Sequence, residues 1–113
     1  MANPVHVKIL NQGVGVWNKW REENPDIIPD LKNADLQGIN LNGAKLFEAN
    51  LSRAKLIRTD LTGANLSKSN LIGAHLSEAY LNGRTLKSWW VDNEMTSPLR
   101  RNGSLSLHHL ITN

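Results

Sequence analysis

The chain has 113 residues, no cysteine, 5% aromatic residues and a formal net charge of +3. Its length leaves room for one core, and the missing cysteine removes disulfides, thiolate catalysis and cysteine-based metal sites together. One Phe and one Tyr beside four Trp cannot fill an ordinary globular interior, and so small a basic excess implies only weak attraction to anions.

The first element is a helix expected over residues 4 to 24. Val7, Leu10, Val14, Trp17 and Trp20 recur at helical spacing, and Pro25 disfavours continuation. Gly13 and Gly15 weaken such a helix by roughly 1 kcal/mol each relative to alanine, so packing has to hold it. Its expected task is to cover the open end of whatever follows. The beginning of the chain has no basic start leading into an apolar run, and no stretch approaches the roughly 20 apolar residues of a membrane span. A soluble, cytoplasmic protein is the expectation.

From residue 29 to 88 the chain repeats. Leu31, Leu36, Leu41, Leu46, Leu51, Leu56, Leu61, Leu66, Leu71, Leu76, Leu81 and Leu86 stand at every fifth position without a gap. With leucine at about one residue in ten, twelve such hits in one frame have a chance on the order of one in a trillion. Two positions before each leucine the residue is usually small (Ala34, Ala44, Ala54, Ala64, Ala74), and the one between is usually Asp or Asn. A period of five fits neither the 3.6 of an α-helix nor the 2.0 of a strand, so these leucines need an unusual backbone.

The runs Ala34-Asp35-Leu36, Ala49-Asn50-Leu51 and Ala64-Asn65-Leu66 resemble the A-[DN]-L-x-x signature of the pentapeptide-repeat family. The resemblance implies an all-β solenoid: a right-handed, four-sided (quadrilateral) β-helix of about three coils, each pentapeptide making one side. Residues twenty apart then lie above one another. The inward columns become Ala34/Ala54/Ala74, Ile39/Thr59/Ala79, Ala44/Ala64/Arg84 and Ala49/Ser69/Trp89, beside the twelve leucines as structural core. Gly43/Gly63/Gly83 point outward at a corner that suits unusual backbone angles. Arg58 over Glu78 and Glu48 over Lys68 become exposed ion pairs of small worth. The segment from Val16 to Arg21 followed by Asn24-Pro25-Asp26 also resembles the leader of some cyanobacterial members.

Beyond Leu86 the period is lost. Residues 89 to 113 are expected to form a C-terminal cap and tail, with one strand within Ser104 to Ile111, and residues 1 to 28 the N-terminal cap and linker. Arg84 and Trp89 break two inward columns where the last coil should close. Trp89 and Trp90 are therefore the expected interface, covered either by the tail or by a second copy, and of the two a two-fold dimer is the expectation.

No catalytic, cofactor-binding or metal-binding residues are expected. His108 and His109 are adjacent and point apart, without an acidic partner at ligand spacing. His75 reads as a solvated wall residue, and the glycines follow the repeat and do not form a phosphate loop. The functional expectation is a non-enzymatic protein-interaction or scaffold module, with Phe47, Ile57 and Ile72 as exposed apolar residues. Two alternatives come from other classes. One is a DNA-mimicking topoisomerase binder, against which residues 30 to 86 set five acidic against seven basic side chains. The other is weak nucleic-acid binding through Arg53, Lys55, Arg58 and Lys68, which share no stripe and have no stacking aromatics between them.

Overall fold

The computed structural model describes residues 1–82 and 111–112. Its repetitive part uses one local device every five residues. The carbonyl of a repeat leucine accepts the amide N–H three places on, as from Leu31 to Ala34, Leu51 to Ala54 and Leu71 to Ala74, each at 3.0 Å. The residue just before the small one lies in the left-handed region: Asn33, Gly38, Gly43, Glu48, Arg53, Arg58, Gly63, Lys68, Gly73 and Glu78 have φ between 57° and 75°. One positive φ at the third place of a four-residue turn is type II geometry. The glycine column expected at a corner is thus one part of a series of such corners, and charged residues hold most of the rest.

Where an Asp or Asn stands ahead of a repeat leucine, it supports the same corner. The Oδ1 atoms of Asp30, Asp35, Asn40, Asn50, Asp60, Asn65 and Asn70 each accept the amide N–H two residues on, at 2.8 to 3.2 Å. A short side chain with a terminal oxygen reaches that donor and fixes the turn before any tertiary contact is made.

Parallel bridges join Asp30 to Asn50, Asp35 to Lys55, Asn40 to Asp60, Lys45 to Asn65, Asn50 to Asn70, Lys55 to His75 and Asp60 to Tyr80. Each pair is twenty residues apart, so four five-residue sides close a coil and the chain then rides over itself. Each junction is bonded in both directions: Leu36 N–H donates to the Lys55 carbonyl at 2.9 Å, and Lys55 N–H to the Ala34 carbonyl at 2.8 Å. The described residues complete the coils 30–49 and 50–69 and begin a third.

The inward assignment of the leucines holds through the described coils. Leu31, Leu36, Leu41, Leu46, Leu51, Leu56, Leu61, Leu66, Leu71, Leu76 and Leu81 are each at most 2% exposed, and Ala34, Ala44, Ala49, Ala54, Ala64, Ala74 and Ala79 are buried beside them. Thr59 and Ser69 are buried in the same columns. Their hydroxyls donate to the Leu36 and Leu66 carbonyls at 2.6 and 2.7 Å, which removes the cost of a polar group in an apolar shaft. Gly83, Arg84, Leu86 and Trp89 lie outside the described residues.

The single helix expected over residues 4 to 24 is instead two: α1, Pro4–Asn11, and α2, Val14–Glu23. Gly13 between them has φ 115°, a value open to glycine and not to a helix interior. Asn3 caps α1 by accepting the Val5 N–H at 2.9 Å, with Pro4 at the first helical place. At the other end, β1 (Tyr80–Leu81) pairs in parallel with β2 (Ile111–Thr112).

Candidate interaction surface

The first coil leaves backbone groups that no earlier coil can pair, and the two helices answer two of its four sides. On the Lys45 side, Asn18 Oδ1 accepts the Lys45 N–H at 2.8 Å and Asn18 Nδ2 donates to the Gly43 carbonyl at 3.1 Å. Trp17 Nε1 and Arg21 Nε both donate to the Lys45 carbonyl, at 3.0 and 3.1 Å. The same guanidinium donates to the Phe47 carbonyl at 2.5 Å and the Ile27 carbonyl at 3.2 Å, and its carbon lies 4.0 Å from the centroid of the Phe47 ring. Arg21 is only 2% exposed. Burial lowers its pKa from the usual arginine range, partly offset by the Glu48 charge, and three carbonyls with an aromatic face replace its lost hydration.

On the Asp30 side, α1 makes a smaller contact. Asn3 N–H donates to the Asp30 carbonyl at 3.1 Å, and His6 Nδ1 accepts the Asp30 N–H at 2.9 Å. The His6 ring sits 4.9 Å from the Trp20 ring, and Trp20 lies 5.1 Å from Trp17. Trp17 and Arg21 are therefore buried against the first coil and Trp20 is half-buried. Sequence reasoning missed His6 and Arg21 as contact residues. The signal was present, since His6 precedes Leu10, and Arg21 follows Trp17, by one helical turn.

The Asp35 and Asn40 sides of this coil receive no helix. Ile39, expected to point inward, packs against the core yet stays half-exposed for that reason. Both Asp35 and Asn40 are exposed. The Asp35 carboxylate accepts from the Gln37 backbone and side-chain amides, which with the nearby Lys55 charge lower its pKa.

The outer walls are columns of polar side chains. Arg58 Nε meets Glu78 Oε2 at 2.7 Å, one coil apart as the twenty-residue register requires, and the Arg58 pKa is raised by that carboxylate. Glu48 and Lys68 form no ion pair within 4.0 Å; the Glu48 charge favours the protonated form of Arg21. A second pair not foreseen, Lys45 to Glu22 at 2.5 Å, ties α2 to the first coil and lowers the Glu22 pKa. Phe47, Ile57 and Ile72 are half-buried and not exposed, and the Arg21 guanidinium covers the Phe47 ring. Large apolar side chains stand exposed instead at Val5, Val16, Ile27, Ile28 and Tyr80. Trp89, Trp90, His108 and His109 lie outside the described residues. No group of three or more His, Cys, Asp or Glu is arranged to hold a metal among those described, and none of their helices is long and apolar enough to cross a membrane.

With the twenty-residue register and the type II corners in place, the family pattern described as pentapeptide repeats matches residues 30–63 and 59–83, in eight copies. The repeat segment belongs to the pentapeptide-repeat family. No curated protein and no solved structure matches the chain. In this pentapeptide-repeat segment the Asp or Asn of the signature makes the corner, the leucine fills the shaft, and the small residue leaves room for it.

Proposed function

We propose that the protein is a non-enzymatic scaffold whose outer walls bind another protein, built as a right-handed four-sided β-helix. The observation that carries this is the filled interior. Leucines and small residues occupy the shaft completely across the described coils, so recognition has to use the walls, where side chains repeat at fixed intervals on a rigid ladder. Membership of the repeat family supports the same reading. The partner is a folded protein able to lie along one flat wall, engaging the exposed cation Lys55 and the Arg58–Glu78 column on the same side.

The test is capture with the full chain, repeated with Lys55→Glu. A partner retained by the wild type and lost by a variant of unchanged melting temperature supports wall recognition. Retention on duplex DNA at physiological salt, falling steeply as salt rises, would replace it with nucleic-acid binding.

A further inference from the structure

We propose that α1 is an acid-sensitive latch on the first coil, hinged at Gly13 and pegged by the imidazole of His6. Three features place the device there, and they are independent of how the walls are used.

The first is the peg. His6 Nδ1 accepts the Asp30 N–H at 2.9 Å, so Nδ1 carries a lone pair and the ring proton sits on Nε2. A protonated imidazole has no lone pair to give. It would turn an N–H toward the Asp30 N–H and break the contact that holds α1 to the first residue of the ladder. His6 is buried, and the groups facing it come from three elements: the Asn3 amide from its own N-terminal turn, the Trp20 ring from α2 and Asp30 from the coil. The Asp30 carboxylate is the charge among them; it favours the protonated ring, while burial opposes it more strongly and lowers the pKa.

The second feature is the hinge. Gly13 has φ 115°, no side-chain cap closes the start of α2, and a Cβ at Gly13 would meet nothing within 4 Å. The third is unequal attachment. Four side chains of α2 (Trp17, Asn18, Arg21 and Glu22) bond to the Gly43–Phe47 side. By contrast, α1 is bonded to the coil at Asp30, and an open apolar groove lined by Pro4, Val7, Asn33 and Ala34 runs beneath it. Loss of the His6 bond therefore leaves α1 held by the Asn3 N–H on the Asp30 carbonyl and by buried Leu10, a looser seat than that of α2.

The sign follows from linkage. The folded chain prefers neutral His6, and the unfolded reference titrates near pH 6.5, so the latch is closed above about that value and its closure free energy falls as pH drops below it.

Amide hydrogen exchange on the full chain, corrected for intrinsic rates, tests this at about pH 7.5 and about pH 5. The Asp30 amide should lose about tenfold or more of its protection in acid, while the Lys45 amide keeps its own. His6→Gln should abolish the pH dependence at Asp30. In the wild type, nitrogen NMR of the imidazole should report the Nε2–H tautomer at neutral pH. An Nδ1–H tautomer, joint loss at Asp30 and Lys45, or an Asp30 amide equally protected at both values overturns the latch, as does an unchanged pH dependence in the variant.

Discussion

Lys68 shows how the fold sets a cost on single side chains. It is exposed, yet φ is 57°, so its Cβ is held against a carbonyl that a right-handed residue would avoid. Lys68→Gly should stabilise the chain by up to about 1 kcal/mol, the strain relieved exceeding the extra flexibility of glycine in the unfolded chain. Chemical denaturation checks it, and Gly63→Val, forced to the same region at φ 75°, should lose about 1 to 3 kcal/mol. The interior is sensitive to volume instead. Ala54 is fully enclosed between Ala34 and Ala74, so Ala54→Trp should cost several kcal/mol, at or above the ~1 to 3 usual for overpacking. Lys55→Trp, one residue on and facing solvent, should melt like the wild type. Equal melting of the two variants would overturn the inward assignment.

The α2 element acts as a plug whose strength resides in Arg21. Removing its guanidinium leaves the Phe47 and Ile27 carbonyls without that donor and the Lys45 carbonyl with Trp17 alone. At about 1 to 3 kcal/mol for each buried group left unpaired, Arg21→Met should destabilise by about 3 kcal/mol or more and raise exchange at the Lys45 and Phe47 side first. Thermal unfolding measures the loss, and exchange mapping locates it. This residue also shows where sequence reading stops. The repeat leucines were legible because each takes one identical place, and a period of five repeated twelve times has no other cause. The glycines hinted at the left-handed corners, but Arg53, Arg58 and Lys68 gave no such hint, since charged side chains carry no mark of φ. Nor did the pattern separate a weakened helix at Gly13 from a broken one, a difference that the positive φ decides. For Arg21 the pattern offers its place one helical turn after Trp17, on the face turned to the coil, but not its partners, which are carbonyls of a coil more than twenty residues away.

At the scale of the whole molecule the question is what stops the ladder. An exposed last coil is an edge that invites another chain, and through the described coils each rung is answered twenty residues later, as Asp60 is by Tyr80. At Tyr80 the rule changes: its partner is Ile111, thirty-one residues on, with Leu81 against Thr112 in the same parallel register. A chain segment longer than one coil thus brings its own strand back to this side. Such a strand competes directly with a second copy for the same backbone groups, and its tether gives it an advantage in effective concentration over any free partner. Proline at residue 111 or 112 removes an amide donor and disfavours the pairing without altering the coils below. We therefore expect the full chain to sediment as a monomer and the Ile111→Pro, Thr112→Pro variant to self-associate as its concentration rises. The two-fold pairing through Trp89 and Trp90 makes the opposite forecast: a wild-type dimer that Trp89→Ser with Trp90→Ser dissociates and the proline variant leaves intact. A wild-type dimer that the proline pair takes apart would mean that the strand crosses between copies, and the edge at Tyr80 would then be the assembly surface.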